Sequence, residues 1–317
     1  MNLRIGIIGT GAIGGFYGLM LARAGHDVHF LLRSEYPAVV RNGLRLNSQV
    51  HGALSLSPVN AYDDVANMPA CDWLLVGAKT TSNADLAPLI ERAAAKGAKV
   101  LLLQNGLAVE DELRALLPDH LHLLGGLCFI CVHRAEPGVI EHQAFGGVNI
   151  GYHSGPAGEA EARQAIVEEG AALFRSAGLD SNAMPNLEQA RWQKLVWNIP
   201  YNGLSVLLDT GTRAIMDNPD SRALVSELME EVIAGAAACG HSLPPGIVGA
   251  MLSSTDAMPD YLPSMYHDFS QCRPLELGAI YAAPLDAARK AGRELPKIEA
   301  LYRALRFIDA RNQARGA

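Results

Sequence analysis

Over the first half of the chain, short unbroken apolar runs alternate with stretches whose apolar positions recur every three to four residues. The runs are Leu3–Ile8, Val28–Leu32, Trp73–Val76 and Val100–Leu103, each bounded by Gly, Asp or Lys. Continuous apolar runs of this length suit parallel strands buried on both faces. Between them, Gly14–Ala24 reads as a helix with Gly25 as its stop, and Asn83–Lys96 and Val109–Leu117 read as later crossover helices. Strand, helix, strand in alternation predicts a doubly wound α/β sheet. Gly138–Tyr152 is β-like again, broken at Gly146–Gly147, followed by an amphipathic helix over Glu159–Ser176 and a last strand over Leu179–Met184. Beyond Pro185 the periodicity is helical: Leu187–Leu208, Ser221–Cys239, Pro245–Thr255, Leu275–Ala291 and Lys297–Ala310. The pattern therefore predicts an α/β domain over residues 1–184 and an all-helical domain over residues 185–317.

Composition narrows the classes. A chain of 317 residues with 49% hydrophobic residues is long enough for two cores. A net charge of −7 argues against a nucleic-acid partner, which requires a basic footprint. No stretch reaches the roughly 18 uncharged apolar residues of a membrane span. The run from Met1 to Gly9 is short and flows into a glycine loop, unlike a targeting segment. Five scattered cysteines fit reduced thiols, and with the absence of a leader they predict a cytoplasmic protein. Cys128 and Cys131 form a CxxC inside the apolar run Leu127–Val132, which reads as strand core rather than as a redox motif at an exposed helix start. His133, His142 and His267 lack metal-ligand spacing, so no metal is expected.

The chemistry begins at Gly9-Thr10-Gly11-Ala12-Ile13-Gly14, a GxGxxG placed after a predicted strand and at the start of a predicted helix. Gly9 permits a tight turn, Gly11 lets the backbone approach a pyrophosphate, and Gly14 lets helix pack on strand. Free N–H groups at the helix start then hold phosphate oxygens. At the end of the second strand an NAD enzyme carries an acid for the ribose 2′-hydroxyl, whereas this strand ends Leu31-Leu32-Arg33. A guanidinium there suits a 2′-phosphate, so NADP(H) is the expected cofactor, with nearby Glu35 as the competing acid. Lys79 and Asn105 follow the third and fourth core strands, where open α/β sheets bind ligands.

In the helical half, Lys194, Asn198 and Asn202 recur at four-residue steps and share one helix face. Pro200 within the run predicts a kink or a local break. The row is either a solvent-facing stripe or a ligand site; Trp192, Leu195, Val196 and Trp197 cover much of the remaining circumference and weigh against the stripe.

Taken together, these motifs resemble the ketopantoate reductase family, within the 6-phosphogluconate dehydrogenase-like superfamily. The resemblance rests on GTGAIG at Gly9–Gly14, Arg33, Lys79, Gln104-Asn105-Gly106, the WxKLxxN run Trp192–Asn198, Asn202, Pro263-Ser264-Met265 and Glu276. It implies a Rossmann-type N-terminal domain, cofactor contacts from Gly9, Thr10, Gly11, Ala12, Ile13, Gly14, Arg33, Lys79, Asn105 and Glu276, and the NADPH-dependent reduction of 2-dehydropantoate to pantoate, in pantothenate biosynthesis. It also implies that Lys194 is the general acid, that Glu276 orients substrate and lysine, and that Asn105, Asn198, Asn202 and Ser264 contact the substrate. Oligomers, a homodimer among them, occur in such families.

The same residues have plain readings. Glu276 suits the first turn of a helix, Ser264 a helix cap, Asn105 an Asn-Gly turn, and Lys79 a surface charge. Where family members often have a run ending in Asn-Gly after the acid, this chain has Leu277–Pro284, and Tyr261 stands where some carry an asparagine. Another small 2-keto or 3-keto acid is therefore the rival substrate. A non-catalytic NADP sensor is a further rival, since it needs the glycine loop and Arg33 but has no use for Lys194 with Glu276.

Overall fold

The computed structural model describes residues 3–316; Met1 and Asn2, which open the run read as free of a targeting segment, and Ala317 lie outside the described residues. The chain divides into two compact units, Met1–Gln104 with Val109–Leu187, and Asn105–Ala108 with Glu188–Ala317.

The first unit is built on one ten-stranded mixed sheet. Its strands are β1 (Arg4–Ile8), β2 (Asp27–Leu31), β3 (Leu44–Ser48), β4 (Gly52–Leu56), β5 (Ala61–Tyr62), β6 (Cys71–Val76), β7 (Ala94–Leu102), β8 (His122–Glu136), β9 (Val139–Ser154) and β10 (Ala183–Met184). Six of them run parallel in the order β5-β2-β1-β6-β7-β8. This is the 3-2-1-4-5-6 order of a dinucleotide-binding sheet, whose crevice opens beyond the carboxyl ends of β1 and β6. The sheet then turns antiparallel at β8–β9, continues parallel to β3, and ends in the β3–β4 hairpin. Helices α1 (Ala12–Arg23), α2 (Tyr36–Asn42), α3 (Asn83–Ala93), α4 (Val109–Arg114) and α5 (Ala160–Ser176) complete this unit. Its core gathers Ile5, Ile7, Phe16, Tyr17, Phe30, Trp73, Leu75 and Leu101.

Several elements differ from the periodicity. The helix expected to reach Lys96 stops at Ala93, because β7 begins at Ala94 and pairs with Cys71 of β6. The strand expected over Leu179–Met184 is only Ala183–Met184; Ser181 instead donates its hydroxyl to Val148 O at 2.5 Å. β9 runs through Gly146–Gly147, with positive φ at Phe145 and Gly146 absorbed in register shifts against β8. The β3–β4 hairpin and α2 were not legible, since their alternating, half-exposed residues carry a weak apolar signal.

The second unit is predominantly helical: α6 (Leu187–Leu208), α7 (Thr212–Asp217), α8 (Pro219–Ala238), α9 (Ile247–Ala257), α10 (Ser264–Ser270), α11 (Ala283–Lys290) and α12 (Pro296–Gly316). Its core packs Trp192, Leu195, Val196 and Ile199 of α6 against Met229 and Val232 of α8, Ile280 and Tyr281, and Ile298 of α12. α6 continues through Pro200 without a break, although proline removes one i→i−4 bond. The helix expected over Leu275–Ala291 opens instead as a π turn over Gly278–Ala282. No helix among the described residues is long and apolar enough to cross a membrane.

Cys128 and Cys131 lie buried within β8. Burial pushes the thiols of Cys131 and Cys71 up to about 12, which leaves almost no thiolate at neutral pH. Iodoacetamide at pH 8 followed by peptide mass mapping should alkylate exposed Cys272 first and leave Cys71, Cys128 and Cys131 unmodified until the protein unfolds.

Candidate active site

In the first unit the glycine loop caps β1 and starts α1. Gly9 takes φ +88°, and a Cβ there would strike the backbone of Ala78, so the residue serves both the turn and the close passage of the loop after β6. A Cβ on Gly14 would collide with the Gly9 carbonyl, which is the helix-on-strand contact in atomic terms. Gly77, which the sequence reading did not single out, completes the contact: its N–H donates to Ile8 O at 2.9 Å, and a Cβ would crowd Gly14 N. By contrast, a Cβ on Gly11 would meet nothing within 4 Å, and no side chain caps the start of α1. That open space beside uncapped helix-start N–H groups fits a pyrophosphate, so the residues present suit a dinucleotide. The hydroxyl of Thr10 donates to Leu31 O at 3.2 Å, tying the loop to the end of β2. Ala12 and Ile13 are the half-buried first residues of α1.

Past the end of β2, Arg33 is exposed while Glu35 is buried. Glu35 is paired with Arg134 of β8 and accepts the Gly138 N–H at 3.3 Å. The acid nearest the tip of β2 is thus held by a guanidinium and a backbone amide. Lys79, half-buried, immediately precedes a short 3₁₀ turn over Thr80–Ser82 beyond β6. Near it in the chain lies a polar network that was not legible from residue spacing. Gln104 Nε2 donates to Ala78 O at 3.0 Å and to Asn83 Oδ1 at 2.7 Å, and Asn83 Nδ2 donates to Glu112 at 3.1 Å. These bonds link the loops after β6 and β7 to the starts of α3 and α4.

The second unit brings together the other candidates. On α6, half-buried Lys194 is followed one turn later by Asn198, 6% exposed, and then by Asn202, 2% exposed. Asn198 Nδ2 is buried with no hydrogen-bond partner. Asn202 is engaged on both ends: Nδ2 donates to Asn198 O at 3.0 Å, while Oδ1 accepts Ser264 Oγ at 3.4 Å and Met265 N at 3.2 Å. It therefore fixes the first turn of α10 and the place of Ser264. Glu276, 4% exposed, stands just before the π turn, a distortion that often accompanies functional sites. Asn105 belongs to this unit too, half-buried at the start of the segment Asn105–Ala108.

Aromatic rings stand beside the row. Trp197 lies 4.7 Å from Tyr201 and 6.4 Å from Tyr261, ring centre to ring centre, and donates its indole N–H to Thr255 at 3.1 Å. Burial pushes the Tyr201 phenol up to about 12 and holds the Tyr281 phenol well above its usual range, where it donates to Ile199 O at 2.7 Å. Both phenols stay protonated at neutral pH.

A family model described as ketopantoate reductase PanE/ApbA matches residues 5–155, and one described as its C-terminal part matches residues 186–309. The chain belongs to the ketopantoate reductase family. It is accordingly an oxidoreductase of the NAD(P)-binding Rossmann superfamily. This family member is similar to a 2-dehydropantoate 2-reductase of Nostoc sp., with 43% identity over 310 residues, 97% of this chain and 95% of the relative. Among solved structures it resembles the 2-dehydropantoate 2-reductase of Geobacter metallireducens, with 41% identity and a TM-score of 0.88 over 96% of this chain and 99% of that one. It also resembles the enzyme of that name from Methylococcus capsulatus, with 36% identity and a TM-score of 0.85 over 98% of each chain.

The glycine geometry separates two substitutions. Gly11→Ala should fold with a loss of under about 1 kcal/mol yet weaken dinucleotide binding, because its methyl enters the open space. Gly14→Ala should destabilise by about 1–3 kcal/mol through overpacking, whether or not dinucleotide is present. Thermal melts with and without NADPH distinguish the two.

Proposed function

We infer that this ketopantoate reductase family member reduces 2-dehydropantoate to pantoate with NADPH, residues 1–184 serving the cofactor and residues 185–317 the substrate, as a step of pantothenate biosynthesis. The observation that carries the reading is the buried, unpartnered Asn198 Nδ2 one helical turn from Lys194. A buried amide donor left unpaired costs about 1–3 kcal/mol, which an oxygen of a bound keto acid would relieve. A ligand held there has its ketone within the reach of a lysine.

Held by the glycine loop Gly9–Gly14 and Arg33, NADPH would supply hydride for the ketone carbon. As the carbonyl pair moves onto oxygen, Lys194 stabilises the growing negative charge and passes its proton to that oxygen, leaving an alcohol. Glu276 orients the lysine and the substrate. Asn105 and Asn198 hydrogen-bond the substrate, Ser264 holds its carboxylate, and Asn202 acts by holding Ser264. The preference for NADP is supported by the engagement of Glu35 with Arg134 and Gly138, which leaves exposed Arg33 as the group suited to a 2′-phosphate.

The ring cluster Trp197, Tyr201 and Tyr261 favours a second reading, in which the same chemistry acts on another small 2-keto or 3-keto acid with an apolar side group.

NADPH oxidation with 2-dehydropantoate beside a panel of keto acids tests both readings. Lys194→Ala should lower kcat by about 100-fold or more, the usual contribution of a positioned acid, while NADPH binding persists. Turnover of another keto acid alone would transfer the assignment to the second reading, and tight NADPH binding with no reduction of any would remove both. Arg33→Asp should cut the NADPH-over-NADH preference by about tenfold or more, the worth of a charge-assisted bond, as read by the two dissociation constants.

A further inference from the structure

The segment Asn105–Ala108 groups with the helical unit although the chain on either side of it groups with the sheet. Three contacts hold it. The Leu107 N–H donates to Ala279 O at 2.9 Å. Gly106 takes φ +111° and lies so flat on Ala279 that a Cβ would collide with that residue's Cβ and carbonyl. From α6, Arg191 Nη1 donates to Gly106 O at 3.3 Å. Leu107 then buries its side chain in the core shared with Trp192 and Ile280.

The two elements that grip the segment are the two that carry the site. Arg191 precedes Lys194 by three residues, so the pair are neighbours on one face of α6. Ala279 follows Glu276 by three residues, inside the π turn. Arg191 as a whole is only 3% exposed. Burying a charge is costly unless it is well hydrogen-bonded, so an arginine at this depth needs a structural return for its desolvation. The planar fork of guanidinium donors can hold a backbone carbonyl while its other N–H groups serve elsewhere, which a lysine does less well.

We propose that Arg191 is a positioning residue that latches the Asn105-Gly106 turn to α6 and so sets where Asn105 stands relative to Lys194 and Glu276. The catalytic part of this rests on the reading of those three residues given above; the latch itself does not. Reaction rates are sensitive to such placement, since a misplacement of about 1 Å can cost on the order of 100-fold.

Two measurements on the full-length protein test the proposal. In the first, hydrogen exchange is followed by mass spectrometry on the peptide spanning residues 103–109, in wild type, Arg191→Met and Arg191→Lys. Exchange at Leu107 should quicken at least tenfold in Arg191→Met and less in Arg191→Lys, with the peptides of β1 and α1 unchanged. Unchanged exchange at residues 103–109 in a folded variant overturns the latch, whatever the enzyme turns over. In the second, a double-mutant cycle pairs Arg191→Met with Asn105→Ala during turnover of the best keto acid. Arg191→Met should lower kcat by about 10- to 100-fold with an unaltered NADPH dissociation constant, and should add little in the Asn105→Ala background. Equal losses in both backgrounds overturn the positioning role even if the latch exists. Absence of turnover in wild type counts against the proposed activity, and the exchange measurement then still decides the latch. Should Arg191→Met fail to fold, Gly106→Ala loosens the same segment from the Ala279 side and is expected to reproduce the exchange and kcat effects.

Discussion

Helix α6 must bury an apolar stripe and present a polar row on the same 22 residues, and the rest of the helical unit follows from how it does both. Trp192, Leu195, Val196 and Ile199 recur at the spacing of one helix face and are almost completely buried. Once that face is fixed, the direction of Lys194, Asn198 and Asn202 is fixed as well, because each residue turns the helix by a constant angle. Asn202 then turns local geometry into tertiary geometry. By accepting from Ser264 and the Met265 amide, it anchors the start of α10. Tyr281 does the same from the other side, its buried hydroxyl donating to Ile199 O. The row of side chains that resembles a reductase site is thus held by the burial that folds the unit.

The sheet unit obeys a different constraint, the close approach of backbone to backbone where β1 meets α1. Gly9, Gly14 and Gly77 are tolerated there because any side chain would strike main-chain atoms, and main chain cannot step aside as a side chain can. Gly11 stands apart, facing open space. Packing demands glycine at three of these positions, whereas at the fourth a side chain would meet no protein atom, so what the loop offers there is space beside free backbone N–H groups. The strand order adds an independent argument, since loops that follow β1 and β6 flank the reversal point of the sheet.

Buried polar groups carry much of the specificity in both units. Glu35 with Arg134, and Gln104 with Asn83 and Glu112, each join elements far apart in the chain. Bonds of this kind at low dielectric favour one arrangement of loops over its near neighbours. In the first case the consequence is chemical: an acid that could have faced a ribose is instead held by an arginine 99 residues away.

The sequence by itself determined the elements whose signal is local. The glycine loop between strand and helix, the parallel core strands, the helical second half and the row of three polar residues at four-residue steps on α6 all follow from spacing and burial preference, which act over a few residues. It did not reveal the β3–β4 hairpin, whose half-exposed residues carry little apolar contrast, or the π turn after Glu276, whose Ala279 carbonyl accepts from the distant Leu107 N–H. The bond from Arg191 to Gly106, the pairing of Glu35 with Arg134 and the bonds of Gln104 were not legible, because a charged or amide side chain shows its partner only when the chain has folded. Tertiary structure alone decided which polar groups are engaged, as at Asn202, and which are left unpartnered, as at Asn198 Nδ2. The reason is physical: periodicity records which face of an element is buried, while hydrogen-bond satisfaction depends on atoms brought together from distant parts of the chain.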